Sequence, residues 1–155
     1  MDLFRITQGK FAEDLSGNGA RLYGGRWNSE GLFALYTSFS RALALLETLA
    51  HTPAKMLNEK EYMLITLSIP DTIKLEELDR EKLTAGWDAP DTRPLTKNLG
   101  DQFLRQKKSL LLAVPSVLMP EENNFLINPV HKDMRKVKLV HKRKIYFDTR
   151  VKGGL

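Results

Sequence analysis

The sequence contains no cysteine. That removes a disulfide scaffold, a thiol nucleophile and a cysteine zinc site together. Histidine is scarce as well. His51, His131 and His141 are the only three, and none stands at HxxxH or HExxH spacing, so no metal is expected in the chemistry. No stretch approaches the ~18 consecutive apolar residues of a membrane span. Met1-Asp2-Leu3-Phe4-Arg5 lacks the basic start and apolar run of a signal peptide. These absences together fit a cytoplasmic protein without membrane contact. The phosphate loop GxxxxGK[ST] and the nucleophile elbow GxSxG are missing too, and there are no internal repeats.

What remains is an ordinary globular composition. Of 155 residues, 42% are hydrophobic and 28% charged, which suits one domain over residues 1–155 with a single core. The net charge of +5 is unevenly placed. Nine of the 24 basic residues but only two of the 19 acidic ones lie beyond residue 131, so that end carries +7 and the remainder −2. Such an end suits a nucleic-acid tail, a surface for an acidic partner, or simply solvated strand faces.

Pattern and turn chemistry predict strands at Leu3–Ile6, Leu32–Thr37 and Glu61–Ile69. Ser16–Gly19 and Gly24-Gly25 read as turns. A helix is expected from Arg41 to His51, capped by Ser38 or Ser40 and facing the core with Leu43, Leu46, Leu49 and Ala50. Ile73–Leu78 is open between strand and helical turn. Pro90–Pro94 reads as loop and Leu95–Lys107 as an amphipathic helix. Leu110–Val114 reads as a strand broken by Pro115 and resumed at Val117–Met119, followed by loop or short helix over Glu121–Pro129. Two final strands are expected at Lys136–Val140 and Lys144–Phe147, with Lys142–Lys144 at their turn. Strands and helices do not alternate regularly. This favours an α+β fold with a mixed β-sheet core and a few helices.

Five constellations can carry chemistry. Gly24-Gly25-Arg26-Trp27-Asn28 combines close backbone approach with a guanidinium fork suited to phosphate or carboxylate, or is a glycine turn beside a core tryptophan. Glu47 is the only acid of its helix and sits at the edge of the apolar face, either desolvated for chemistry or paired at a boundary. Tyr36-Thr37-Ser38 ends a buried strand, where site residues often lie, or Tyr36 is packed with its hydroxyl at the surface. Ser116 follows the strand-breaking Pro115, as a site residue or at an edge bulge. The amides of Asn123-Asn124 and Asn128 can read a base or carboxamide, or cap turns.

In this order, these stretches resemble the RES-domain family of bacterial toxins, named for an Arg, a Glu and a Ser. The matching pieces are Leu22-Tyr23-Gly24-Gly25-Arg26-Trp27-Asn28, Ala34-Leu35-Tyr36-Thr37-Ser38, Ala44-Leu45-Leu46-Glu47 with His51, Ala113-Val114-Pro115-Ser116, and Asn124-Phe125-Leu126-Ile127-Asn128-Pro129 with His131. They run through nearly the whole chain. Ser29-Glu30-Gly31 stands where the family often has prolines.

The resemblance implies an ADP-ribosyltransferase-like fold, NAD+ as substrate, and a toxin of a RES–Xre toxin–antitoxin system. The partner would be a cognate Xre-like helix-turn-helix antitoxin. Arg26, Tyr36, Glu47 and Ser116 would be catalytic, with Arg26, Tyr36, Ser116 and Asn128 binding NAD+. Glu47 would stabilise the positive charge that develops when the nicotinamide–ribose bond breaks, as in glycoside hydrolysis. Arg26 would hold the pyrophosphate, and Tyr36 would stack on nicotinamide or ribose. Ser116 would hydrogen-bond the carboxamide or a phosphate. The resemblance leaves open NAD+ hydrolysis or ADP-ribosyl transfer to a protein. The competing class, a basic RNA-binding protein or ribonuclease, rests on the C-terminal charge and lacks an RNP aromatic pattern, so direct nucleic-acid binding is not expected.

Overall fold

A computed structural model describes residues 1–90 and 94–151. Seven strands form one sheet: β1 (Asp2–Gln8), β2 (Leu35–Ser38), β3 (Tyr62–Ser68), β4 (Leu75–Glu77), β5 (Leu111–Pro115), β6 (Asn123–Ile127) and β7 (Lys138–Ile145). Their order is β4-β5-β6-β2-β1-β3-β7. Only β4 and β5 run parallel; every other neighbouring pair is antiparallel. Four α-helices, α1 (Asn18–Tyr23), α2 (Arg41–His51), α3 (Ala54–Glu59) and α4 (Pro94–Gln106), and three short 3-10 turns at Gly9–Phe11, Arg80–Lys82 and Lys132–Lys136 complete the described elements. This is the mixed-sheet α+β architecture expected from the irregular strand and helix pattern.

The period of two along each strand divides the core. Leu3, Leu35, Ile65, Leu67, Leu111, Ala113, Phe125 and Ile127 pack on one face. On the other face Leu112, Val114 and Leu126 meet Phe103 and Leu104 of α4 and the ring of Trp27, while Phe4 and Leu64 meet Ala44 of α2. The sheet is weakly joined at its centre. β1 pairs with β3 over seven residues but with β2 only at Phe4↔Ser38.

Several elements differ from the sequence reading, each for a local reason. Asn18-Gly19, read as turn, begins α1, whose left-handed N-cap is Gly17 (φ 72°). Ser40, not Ser38, caps α2, its hydroxyl accepting from the Leu43 amide at 3.0 Å. That helix buries Leu43, Ala44 and Leu49, whereas Leu46 and Ala50 are exposed, so its buried stripe is rotated from the one predicted. Helix α3, preceded by Pro53, was not anticipated. Residues 75–77 settle as strand β4 beside β5.

Residues 123–127, read as loop or short helix, form β6 in the middle of the sheet, paired on both sides. Val117–Met119 is no strand. The Ser116 hydroxyl instead accepts from the amides of Leu118 and Met119, both at 3.1 Å, and turns the chain. The two expected final strands are one, β7, because β3 pairs with it through Lys142–Lys144 and a bulge near Val140 absorbs the irregularity. Of the predicted loop Pro90–Pro94, residues 91–93 lie outside the described residues, and Pro94 opens α4.

Gly100 marks the closest approach of α4 to the turn that follows α1. A Cβ added there would stand 1.8 Å from the Trp27 carbonyl oxygen. Gly100→Ala is therefore expected to destabilise the fold by about 3 kcal/mol. Urea denaturation of the purified variant checks this, and wild-type stability would disprove the packing argument.

Candidate active site

A cavity of about 620 Å³ opens where β1 and β2 meet at a single register pair. Arg5 and Ile6 line it from β1, Tyr36, Thr37 and Ser38 from β2, Glu47, Thr48 and His51 from α2, and Tyr23–Trp27 from the end of α1 and the turn beyond. Its volume lies within the range of small-molecule sites. Strand β2 links its two ends, with Tyr36 towards the glycine turn and Ser38 towards Glu47.

Tyr36 fastens the glycine turn. Its hydroxyl accepts from the Trp27 amide at 3.0 Å and donates to Asn28 Oδ1 at 2.7 Å. A Cβ on Gly25 would lie 2.6 Å from that hydroxyl, so glycine is required for the close approach. Burial pushes the Tyr36 phenol far above its ordinary range, outweighing the Trp27 amide bond, so it remains a proton donor. Fully buried Asn28 directs Nδ2 at the carbonyls of Ala20, Ser29 and Leu32. Asp101 of α4 holds the far side, accepting from the Ser29 amide (2.8 Å) and hydroxyl (2.6 Å). Arg26, carried by this frame, donates Nη1 to the Trp87 carbonyl at 3.0 Å and Nη2 to the Ala89 carbonyl at 2.8 Å. A guanidinium has five N–H donors, so three stay available to an anion.

Glu47 stands at the other end. Its Oε1 accepts from Ser116 Oγ (2.7 Å) and from Asn124 Nδ2 (2.5 Å). Asn124 is itself oriented by Ser38, whose hydroxyl donates to its Oδ1 at 2.7 Å. Oε2 faces His51 Nε2 at 3.2 Å. Burial alone would raise the Glu47 carboxyl. The hydrogen bonds from His51, Ser116 and Asn124, with the nearby imidazole, outweigh it and hold the carboxyl below the ordinary range. The site thus presents a preformed carboxylate, one oxygen of which is locked.

The sequence-predicted residues fare unequally. Arg26, Tyr36 and Glu47 come together around the cavity. Ser116 is fully buried and reaches the site only through Glu47, so it is placed to position the carboxylate rather than to meet a carboxamide or phosphate directly. Asn128 is elsewhere. It is also fully buried, donates to the Leu104 carbonyl at 2.9 Å and accepts from the Val130 amide at 3.2 Å, so both ends of its amide are occupied structurally. The site amide is Asn124, four residues earlier in the same run. Asp101 had no sequence signal beyond its lone acidic position in α4. The basic residues of β7 do not line the cavity. Among the described residues no cluster of three His, Asp or Glu side chains could hold a metal ion, and no helix is long and apolar enough to cross a membrane.

A mixed sheet carrying a cavity with an arginine-bearing turn at one end and a hydrogen-bonded carboxylate at the other defines the class as an α+β domain with a preformed, small-molecule-sized cleft among its described residues. Comparison with known proteins narrows the class. The RES domain family model matches residues 2–148, and the chain belongs to that family. It is 40% identical over 142 residues to the Prs ADP-ribosylating toxin of Sphingobium sp. strain YBL2, covering 90% of this chain and 88% of the relative. It is 38% identical over 137 residues to Toxin Res of Photorhabdus laumondii, covering 88% and 86%. The crystal structure of the M. tuberculosis MbcT–MbcA toxin–antitoxin complex contains a chain of the same fold, with a TM-score of 0.77, 24% identity, and coverage of 94% of this chain and 84% of that one.

The depressed carboxyl makes a signed prediction. Its folded-state pKa lies below the ordinary 4.5, so the stability it contributes is present above that pH and is lost as pH falls through the lower folded value. The stability difference between wild type and Glu47→Gln should therefore change as pH drops from about 6 to about 3. Parallel denaturation curves across that range would contradict an ionised Glu47. Ser116→Ala, by removing one donor, should shift the wild-type transition upward in pH.

Proposed function

We propose that the chain is an enzymatic toxin that cleaves the nicotinamide–ribose bond of NAD+ and is restrained by an antitoxin. The observation that carries this reading is Glu47: a carboxylate whose pKa is held down, on the wall of a cavity of about 620 Å³, with one oxygen fixed by Ser116 and Asn124. Breaking an N-glycosidic bond to a cationic nicotinamide needs no acid to protonate the leaving group. It needs fixed negative charge beside a ribose that becomes oxocarbenium-like, and a carboxylate already desolvated and oriented supplies it without reorganisation. Arg26 at the other end retains donors for the pyrophosphate, and Tyr36 lines the same cavity.

Transfer of ADP-ribose to a protein is the second reading, favoured by the name of the Sphingobium relative. The same carboxylate serves both outcomes, because the acceptor attacks after the charge has developed. An antitoxin partner is supported by the structural neighbour, whose toxin was solved bound to one. An Xre-like helix-turn-helix protein acting in the cytoplasm is the form that the family resemblance suggests for it.

Purified chain incubated with labelled NAD+ should release nicotinamide. Free ADP-ribose would assign hydrolysis, and a labelled protein band transfer. Glu47→Gln should slow cleavage by about 10²–10³-fold, the scale of losing one preorganised electrostatic group, while still binding NAD+. Undiminished turnover by that variant would remove Glu47 from the mechanism.

A further inference from the structure

Glu47 has two carboxylate oxygens with different surroundings. Oε1 takes both fixed donors, Ser116 and Asn124. Oε2 has one partner, the imidazole of His51 one helical turn later at 3.2 Å. The pair differs from an ordinary surface i,i+4 pair such as Lys55–Glu59, whose groups are 3.9 Å apart and largely solvated on both sides. Here the carboxylate side chain is only 16% exposed while the imidazole is 62% exposed. His51 also lines the cavity and is its sole imidazole among the described residues.

This asymmetry fixes the ring's protonation. A carboxylate only accepts, so Nε2 must carry the proton that bridges to Oε2. A neutral His51 then has its lone pair on Nδ1, the nitrogen not engaged by Glu47, on a side chain that is 62% exposed and lines the cavity. Carboxylate–imidazole pairs of this kind select one tautomer and stabilise the imidazolium when it forms.

We propose that His51 is a catalytic residue, the proton acceptor for the nucleophile that attacks the ribose. The inference rests on the NAD+-cleaving function proposed above. In hydrolysis the water oxygen bonds to C1′ of the ribose. The C1′–N1 bond breaks with its electron pair going to the nicotinamide ring, and the water proton passes to Nδ1 of His51 and from there to solvent. The products are ADP-ribose and nicotinamide, and nothing is oxidised or reduced. In transfer an acceptor group on a protein takes the place of water and gives up its proton to the same nitrogen. Glu47 accordingly does two things with two oxygens: Oε1 anchors the carboxylate, and Oε2 orients the base. The titratable and charged groups sharing the cavity with His51 are Arg5 on β1, Tyr23 at the end of α1, Arg26 on the turn, Tyr36 on β2, Glu47 on α2 and Tyr62 on β3.

His51→Gln is the discriminating variant, because its side-chain amide can still donate to Glu47 but cannot accept a proton. Steady-state NAD+ cleavage should show kcat reduced about 10²-fold or more, KM within a factor of about three, and the acidic limb of the kcat–pH profile changed, because Glu47 alone then sets it. His51→Ala should regain activity in proportion to added imidazole. A His51→Gln enzyme with wild-type kcat and pH profile, a loss confined to KM, or His51→Ala activity indifferent to imidazole would each overturn the role. If wild type itself leaves NAD+ intact, the proposed function falls and this inference with it. If wild type cleaves NAD+ and His51→Gln matches it, only the role of His51 falls.

Discussion

A carboxylate withdrawn from water must find donors, and much of this fold follows from where Glu47 finds them. Two come from the sheet beneath the helix: Asn124 at the start of β6 and Ser116 just past the end of β5. Helix α2 therefore has to cross above the sheet close to β2, which is where the Ser40 cap begins it. Ser116 in turn has to be wholly buried, and its hydroxyl also accepts two amides of the turn that leads back into β6. One donor thus connects a helix, a strand end and a turn. Removing such a partner leaves a buried charge only partly satisfied, a cost that reaches well beyond one hydrogen bond.

The opposite wall depends on a different device. The glycine turn is held from three directions: by the Tyr36 hydroxyl, by the Asn28 amide and by Asp101 on α4. Gly100 lets that helix come close enough for the last of these. Arg26 is consequently carried on a well-supported turn although it lies on a loop, and the anion-holding role proposed for it depends on such support.

Much of this was legible in the sequence, and the failures are instructive. The long strand β3 and the helices around Leu43 and Phe103 follow from apolar spacing, and Arg26, Tyr36 and Glu47 stand where strand-end and glycine-turn reasoning places them. β6 was misread because its first two residues are asparagines and acids precede them. Their polarity hides a strand that central position in the sheet demands. Asn124 and Asn128 were both candidate amides, but only Asn128 was assigned to binding, and it serves the backbone whereas Asn124 holds Glu47; residue type cannot tell two amides apart when their partners come from α2 and α4. Ser116 was identified as a site residue, but its action through Glu47 rests on a contact 69 positions away in the chain. The division of β7 into two strands failed because clustered lysines look like a turn, yet they also fit a solvated strand paired to β3.

That clustering of charge has a consequence for the molecule among its own copies. Strand β7 is the outer edge of the sheet, and an outer edge offers unpaired backbone groups to any other strand. Lys142 is tied to Glu13 and Lys144 to Glu61, both acids of the same chain, while Lys138 and Arg143 extend the line of positive charge. A second molecule laid along this edge would meet Lys138 and Arg143 and would have to fit around the two ion pairs. The skewed charge first visible in the sequence thus falls on the long outer strand of the sheet, and charged side chains on such an edge disfavour pairing with another strand.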